Sequence, residues 1–495
     1  MSRSSLKHRS LPQAATAAAL CALVAGCTVG PDYKRPDAAA PPAFKEAAGW
    51  VPSHPTDAID KGAWWSIFND PTLDGLERRV ATSNQTVKQF EAAYREAHQI
   101  VAEARSSFFP TLGVTAGADR SKGSSSTGVT TGSTATTGAT TATGSTSGHA
   151  VSSYSATLEA SWVPDLWGKV RRTVESDKAL AQAAAADIAN ARLSAEASLA
   201  QDYFQVRQVD EEVRLFTRTV QEYERLVKLT QDQVREGTQP QSALLTAQTQ
   251  LYGAQSSLVG LGVTRAKMEH AVAVLVGVPP SELSIPAADY SRDVPTPPTT
   301  VPGTLLERRP DIAGAERRMA SANALIGVAV SAYFPDVTLS GDYGAAGSNI
   351  GHLFNASNTL WSFGADASET LLDFGLRKAQ VRAARAVYDE NVATYRQTVL
   401  TAFQGVEDEL ASLRIFQQQQ EVLLRTEEAA RQTLKLDLDE YREGTIDYTT
   451  VIAAEASLLS ASVDVLNVIL ERQQASVLLV ENLGGGWTAA DLAKS

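Results

Sequence analysis

Arg235-Glu236-Gly237-Thr238 recurs as Arg442-Glu443-Gly444-Thr445. Each tetrapeptide closes a long stretch built from Ala, Gln, Glu, Arg and Leu, which are strong helix formers. From Lys169 to Glu236 there is neither proline nor glycine. A heptad runs through Leu199, Val206, Val213, Val220, Val227 and Val234, with Val209, Phe216 and Tyr223 three residues further on. That 3-4 spacing is a coiled-coil seam. The spacing predicts one long helix over 168–236, roughly 100 Å at 1.5 Å per residue. Gly237-Thr238-Gln239-Pro240 stops it, and proline suits the start of a returning helix, 241–276. Its seams are Leu244, Leu251, Leu258 and Ala247, Ala254, Leu261, Met268, Leu275. Leu73 to Ser107 reads as a third helical stretch.

The same scheme appears twice along the chain. Gly168, Gly237 and Gly277 match Gly375, Gly444 and Gly484 at a constant offset of 207. Phe109-Pro110 matches Phe334-Pro335 at an offset of 225. The difference between the two offsets is an insertion between Pro110 and Gly168, where Ser121 to Gly148 consists almost wholly of Ser, Thr and Gly. Such a segment buries little apolar area and reads as a flexible loop. Length alone, 495 residues, suggests about three domains. The duplication replaces that with two repeats, 27–300 and 301–495. The second carries a helix over 311–332, a long helix over 376–443 and a returning helix over 445–482. Two units are too few for a solenoid.

Between the helices lie four alternating stretches. Leu112, Val114, Ala116, Ala118 and Tyr154, Ala156, Leu158, Ala160, Trp162 fall in a hairpin over 111–162. Val337, Leu339, Gly341, Tyr343 and Trp361, Phe363, Ala365, Ala367 fall in a second over 336–371. Each is about 9 to 11 residues, the length that crosses a bilayer as a tilted strand. Four half-buried strands of a soluble sheet would show the same alternation. Four strands cannot close a membrane barrel, since single-chain barrels start at about eight, so closure calls for several protomers.

Residues 1–26 read as a signal peptide. Arg3, Lys7 and Arg9 precede an apolar run from Ala14 to Gly26, too short to span a bilayer. Leu23-Val24-Ala25-Gly26-Cys27 resembles a lipobox, which would make Cys27 the lipidated N-terminus of the mature chain. Acyl chains anchor a protein without making it span. No other long, unbroken apolar run is evident, so no transmembrane helix is expected. Cleavage before Cys27 removes three positive charges and takes the net charge from -12 to -15. An acidic chain argues against nucleic acid as a partner. The histidines His8, His54, His98, His149, His270 and His352 lack metal-ligand spacing, and neither a nucleophile elbow nor a phosphate-binding loop is present. Paired acids such as Glu211-Glu212 and Glu427-Glu428 read as solvated helix faces. No catalytic residue, cofactor or metal is expected, and the protein is read as no enzyme.

Taken together these residues resemble the TolC-like outer membrane factors, in their NodT-type lipoprotein branch. The resemblance is carried by Cys27-Thr28-Val29-Gly30-Pro31-Asp32-Tyr33, by Trp64-Trp65 with Phe68 and Asp70-Pro71, and by the two Phe-Pro pairs. Leu305-Leu306-Glu307-Arg308-Arg309-Pro310-Asp311-Ile312 and Leu483-Gly484-Gly485-Gly486-Trp487 add the most specific strings. It implies a mainly α fold with a small β part: a homotrimer with a long coiled-coil α-barrel in the periplasm and a 12-stranded β-barrel, four strands per protomer, in the bacterial outer membrane. It implies the exit duct of a tripartite efflux system for small molecules such as drugs, opened by a periplasmic adaptor and driven by an inner-membrane pump of RND type. On that picture Arg235, Gly237, Thr238, Arg442, Gly444 and Thr445 are adaptor-contact tips; as residues alone they are equally helix stops. The family's gating aspartate aligns with Ala453, a departure that leaves Asp447 and Glu455 as candidate gate acids. Protein secretion, or a structural periplasmic coiled-coil lipoprotein, are the competing readings.

Overall fold

The computed structural model describes residues 28–37, 41, 43–46, 63–122, 150–295, 308–485 and 487. The signal peptide, Cys27, most of the Ser/Thr/Gly segment and Leu305 to Glu307 lie outside them. The chain folds into two units. One comprises Met1–Tyr33, Ile100–Asp177 and Ala322–Val387; the other comprises Lys34–Gln99, Lys178–Ser321 and Tyr388–Ser495. Its helices are α1 (Pro71–Ser83), α2 (Gln85–Ser106), α3 (Lys169–Arg235), α4 (Gln241–Val276), α5 (Pro310–Ser331), α6 (Leu376–Glu443) and α7 (Tyr448–Asn482). Its strands are β1 (Thr111–Ser121), β2 (Val151–Trp162), β3 (Asp336–Gly347) and β4 (Thr359–Ser368).

The first unit holds one antiparallel sheet in the order β1-β2-β3-β4. Its register sorts the side chains by face. Val114, Leu158, Tyr343 and Trp361 form one row straight across the sheet. The next row, on the opposite face, is Gly113, Glu159, Asp342 and Ser362. No second layer covers the apolar face within the described residues of the unit: Val114, Trp361 and Phe363 are all exposed. A bare apolar face of this length, backed by a polar one, suits hydrocarbon on one side and water on the other.

The residues just after Cys27 are fixed to this unit. Val29 donates its N–H to the Trp167 carbonyl. Gly30, at φ +98, lies so close to Gly327 that a Cβ would enter its backbone. Arg172 donates to the Val29 carbonyl and to Asp32 at 2.9 Å, and Asn323 to the Pro31 carbonyl at 3.0 Å. Both long helices start on an aspartate that accepts from backbone N–H groups, satisfying donors that a helix start leaves free. Asp165 takes Val170 and Arg171; Asp373 takes Gly375 and Arg377. The Arg377 guanidinium, with those N–H groups, holds the Asp373 carboxyl down to about 2.

In the second unit, Trp64, Trp65, Leu73, Leu76 and Val80 pack on Leu199, Tyr203, Phe204 and Val206 of α3 and on Val272 and Val276 of α4. Asp70 caps α1 and also accepts from the Tyr203 hydroxyl at 2.5 Å. Asn84 divides the stretch from Leu73 to Ser107 into two helices. Its side chain donates to the Leu275 carbonyl at 2.8 Å and caps α2 by accepting from Val87. There the end of α4 arrives, and a Cβ on Gly277 (φ +79) would strike the Ser83 carbonyl. Gly484 (φ +92) meets the Arg308 carbonyl in the same way at the end of α7. The duplication is therefore visible in the packing as well as in the sequence.

Two expectations change. Glu212 is buried, accepting from Gln208 at 2.7 Å, so it is no solvated face residue. Among the described residues one helix, α7, is long and apolar enough to cross a membrane by length and composition alone. Its Val465, Leu466, Ile469, Val477 and Val480 are buried against the rest of its own unit.

Candidate functional site

The two Arg-Glu-Gly-Thr turns adopt one geometry. In the first, Gly237 has φ +76, its N–H reaches the Val234 carbonyl, and the Thr238 N–H reaches the Gln233 carbonyl at 2.9 Å. In the second, Gly444 has φ +75, its N–H reaches Tyr441, and the Thr445 N–H reaches Glu440 at 3.0 Å. This is the Schellman closure of a helix C-terminus, which requires a left-handed residue after the cap. Nothing lies within 4 Å of a Cβ built on either glycine, so the positive φ, not crowding, selects glycine here. Each threonine hydroxyl donates to the same carbonyl as its own N–H, at 2.9 and 2.8 Å, which leaves little slack in the turn. Arg235 pairs with Asp232 at 3.3 Å and Arg442 with Asp439 at 2.9 Å. Both arginines remain exposed.

The structure brings the turns together through residues that sequence reasoning missed. The Gln233 amide and the Tyr441 hydroxyl bond each other at 2.8 and 3.0 Å. Below them Tyr448, Val451, Ile452 and Ala247 form a buried cluster with Tyr441 at its edge, and the rings of Tyr441 and Tyr448 stand 5.4 Å apart. The Asp232 and Asp439 partners could have been found, because they obey the 207 offset. Gln233 and Tyr441 could not, since neither has its like in the other repeat.

The candidate gate acids separate. Asp447 is exposed at the N-cap of α7 and its carboxylate caps no N–H. Glu455 is 9% exposed, and its Oε2 has no hydrogen-bond partner. Burial, aided by the Glu222 carboxylate, pushes the Glu455 carboxyl up to about 7. The departure at Ala453 leaves a small exposed residue between them. Among the described residues no cluster of three or more His, Cys, Asp or Glu could hold a metal.

A duplicated pair of long helices, ending in matched exposed turns and joined to a sheet with one bare apolar face, defines a membrane channel protein of mixed coiled-coil and strand construction. The family described as Outer membrane efflux protein matches residues 77–278 and 301–485. The pyoverdine export outer membrane protein OpmQ of Pseudomonas aeruginosa is 30% identical over 486 residues, 94% of this chain and 95% of its own. The antibiotic efflux pump outer membrane protein ArpC of Pseudomonas putida is 28% identical over 471 residues, 94% of each. The solved outer-membrane channel OprN superposes with a TM-score of 0.82 at 30% identity, covering 93% of this chain and 100% of that one. The chain belongs to the outer membrane efflux protein family and is an outer membrane efflux channel.

Proposed function

We propose that this channel works as a homotrimer and as a passive exit duct, opened by a periplasmic adaptor and powered by an inner-membrane pump of RND type. The observation that carries this is the matched pair of turns. Two rigid, exposed helix ends with the same backbone trace offer one partner two equivalent docking points per protomer. Arg235, Gly237, Thr238, Arg442, Gly444 and Thr445 are the proposed adaptor contacts. The cargo is of small-molecule class, such as drugs; relatives named for antibiotic efflux and pyoverdine export support that reading. Cys27 is the proposed lipid anchor, after removal of residues 1–26. Residues 27–300 and 301–495 are the proposed structural repeats.

Asp447 and Glu455 are the proposed gate acids, with different parts. Repeated by threefold symmetry, exposed Asp447 carboxylates would attract cations and repel one another. Glu455 would act from inside the protomer, through its proton. Unchanged single-channel conductance and cation block in Asp447→Asn and Glu455→Gln would remove the gate assignment.

The adaptor contact is tested by a photo-crosslinking residue at position 235 or 442, in cells that also express a candidate periplasmic adaptor. An adduct with that adaptor from both positions is expected. Adducts from mid-helix positions alone would move the contact elsewhere.

A further inference from the structure

α7 packs against α3 at two apolar patches, and an acid interrupts them. Nearer the turns, Val451 and Ile452 share a buried cluster with Leu226 and Val227 of α3. Farther from the turns, Val465, Leu466 and Ile469 share another with Leu215. Between the patches the buried residues of α7 are Ala454, Glu455 and Ala461. A carboxyl in such a seam is costly to bury when neutral and far more so when ionised. The Glu455 Oε2 is buried without any hydrogen-bond partner, which adds to that cost.

The groups around Glu455 offer it no compensating charge. The charge that acts on it is a like one, the Glu222 carboxylate of α3. Tyr223 of α3 and Tyr448 of α7 are buried close by. Burial, and then the Glu455 carboxylate, push both of their hydroxyls up, so both stay neutral. From α4 and α6 the flanking clusters bring Ala247, Leu251, Leu434, Leu438 and Tyr441, none of which carries a charge at neutral pH. An ionised Glu455 would therefore sit in an apolar seam with a second carboxylate across from it.

We infer that Glu455 is a proton-operated wedge between α3 and α7: neutral, it lets the seam close behind the second turn, and ionised beside Glu222, it drives α7 off α3 and favours the open tip. This rests on the gate reading above. In the packed seam, burial together with Glu222 holds the carboxyl up to about 7, against 4.5 for an exposed glutamate. Between those values the packed seam keeps a proton that a separated one releases. Packing is therefore fully favoured at low pH and loses ground as pH rises to about 7. Above that both forms are ionised and the balance no longer moves. The change is at most about tenfold per pH unit for each protomer. Acid on the periplasmic side thus closes the turns.

The test is single-channel recording of the full-length protein from about pH 5 to pH 8. Open probability of the unmodified channel is expected to rise up to about pH 7 and level off above it. Glu455→Gln, neutral at every pH, should hold the low-pH value throughout. Glu222→Gln changes an exposed side chain and removes the like charge, so its profile should level off at a lower pH. A second readout is maleimide labelling of Ala454→Cys, a buried position beside Glu455, in detergent. The labelling rate with Glu455 divided by the rate with Glu455→Gln cancels the thiol's own titration. That ratio should grow several-fold between about pH 5 and pH 7. A Glu455→Gln channel that opens differently at one pH yet keeps the unmodified pH profile overturns the inference and leaves the gate reading standing. One identical to the unmodified channel at every pH removes both. A labelling ratio that stays flat overturns the inference as well.

Discussion

Gly237 and Gly277 share a positive φ but answer to different constraints, and substitution separates them. A Cβ at Gly237 or Gly444 meets nothing, so Gly→Ala pays only for the left-handed backbone, about 1 kcal/mol. A Cβ at Gly277 would collide with the Ser83 carbonyl, so Gly277→Ala should cost several times more, as read by thermal unfolding in detergent. Equal losses would refute that distinction. Glu77 makes the sharper case. It is wholly buried, neither carboxylate oxygen has a hydrogen-bond partner, and burial beside Glu196 pushes it up to about 10. The unfolded chain loses this proton near 4.5 and the folded one near 10, so folding retains a proton throughout that window. Stability from this residue is full below pH 4.5 and falls as pH rises towards 10. Glu455 acts in the same direction between about 4.5 and 7. Glu77→Gln should raise the melting temperature at pH 8 and do little at pH 4. A larger gain at pH 4 would contradict the burial argument.

At the scale of elements, punctuation made the helices legible. Gly237 with Pro240 and the Asp373-Phe374-Gly375 string stop and start helices by backbone chemistry that one residue type satisfies. The strands were legible from their alternation, and their unpaired outer edges followed from counting four. What stayed hidden depended on side chains far apart in sequence. Asn84 divides α1 from α2 because it bonds the Leu275 carbonyl, a partner that no local pattern reveals. Glu212 reads as a surface acid until Gln208 and the surrounding helices enclose it. Of the candidate site, the turns and their glycines were readable; the Gln233–Tyr441 link between them was not. That link supplies a prediction at this scale. Tyr441→Phe removes both hydrogen bonds to Gln233, each worth about 1 kcal/mol, while keeping the ring on Tyr448. It should loosen the paired turns, seen as faster amide hydrogen exchange over residues 233–240 and 441–448, with the rest of the chain unchanged. Protection unchanged there would show that the buried cluster alone holds them.

For the whole molecule, one duplicated plan serves two environments: a sheet with a bare apolar face, and long helices ending in matched turns. Neither half of the plan completes a channel within one chain. The four strands leave two sheet edges without a strand partner among the described residues. The proposed lipid anchor at Cys27 is a separate matter. Cys27→Ser should abolish incorporation of labelled palmitate while leaving trimers in detergent intact; persistent labelling would assign the lipid to another residue. This chain is an outer membrane efflux channel, and its linked helical turns are expected to restrain its opening. Single-channel recording in planar bilayers, comparing the unmodified protein with Tyr441→Phe combined with Gln233→Ala, tests it most directly. Uniform conductance steps are expected for both, with longer or larger openings in the variant. Bilayers that stay silent with both proteins, despite verified insertion, would contradict it.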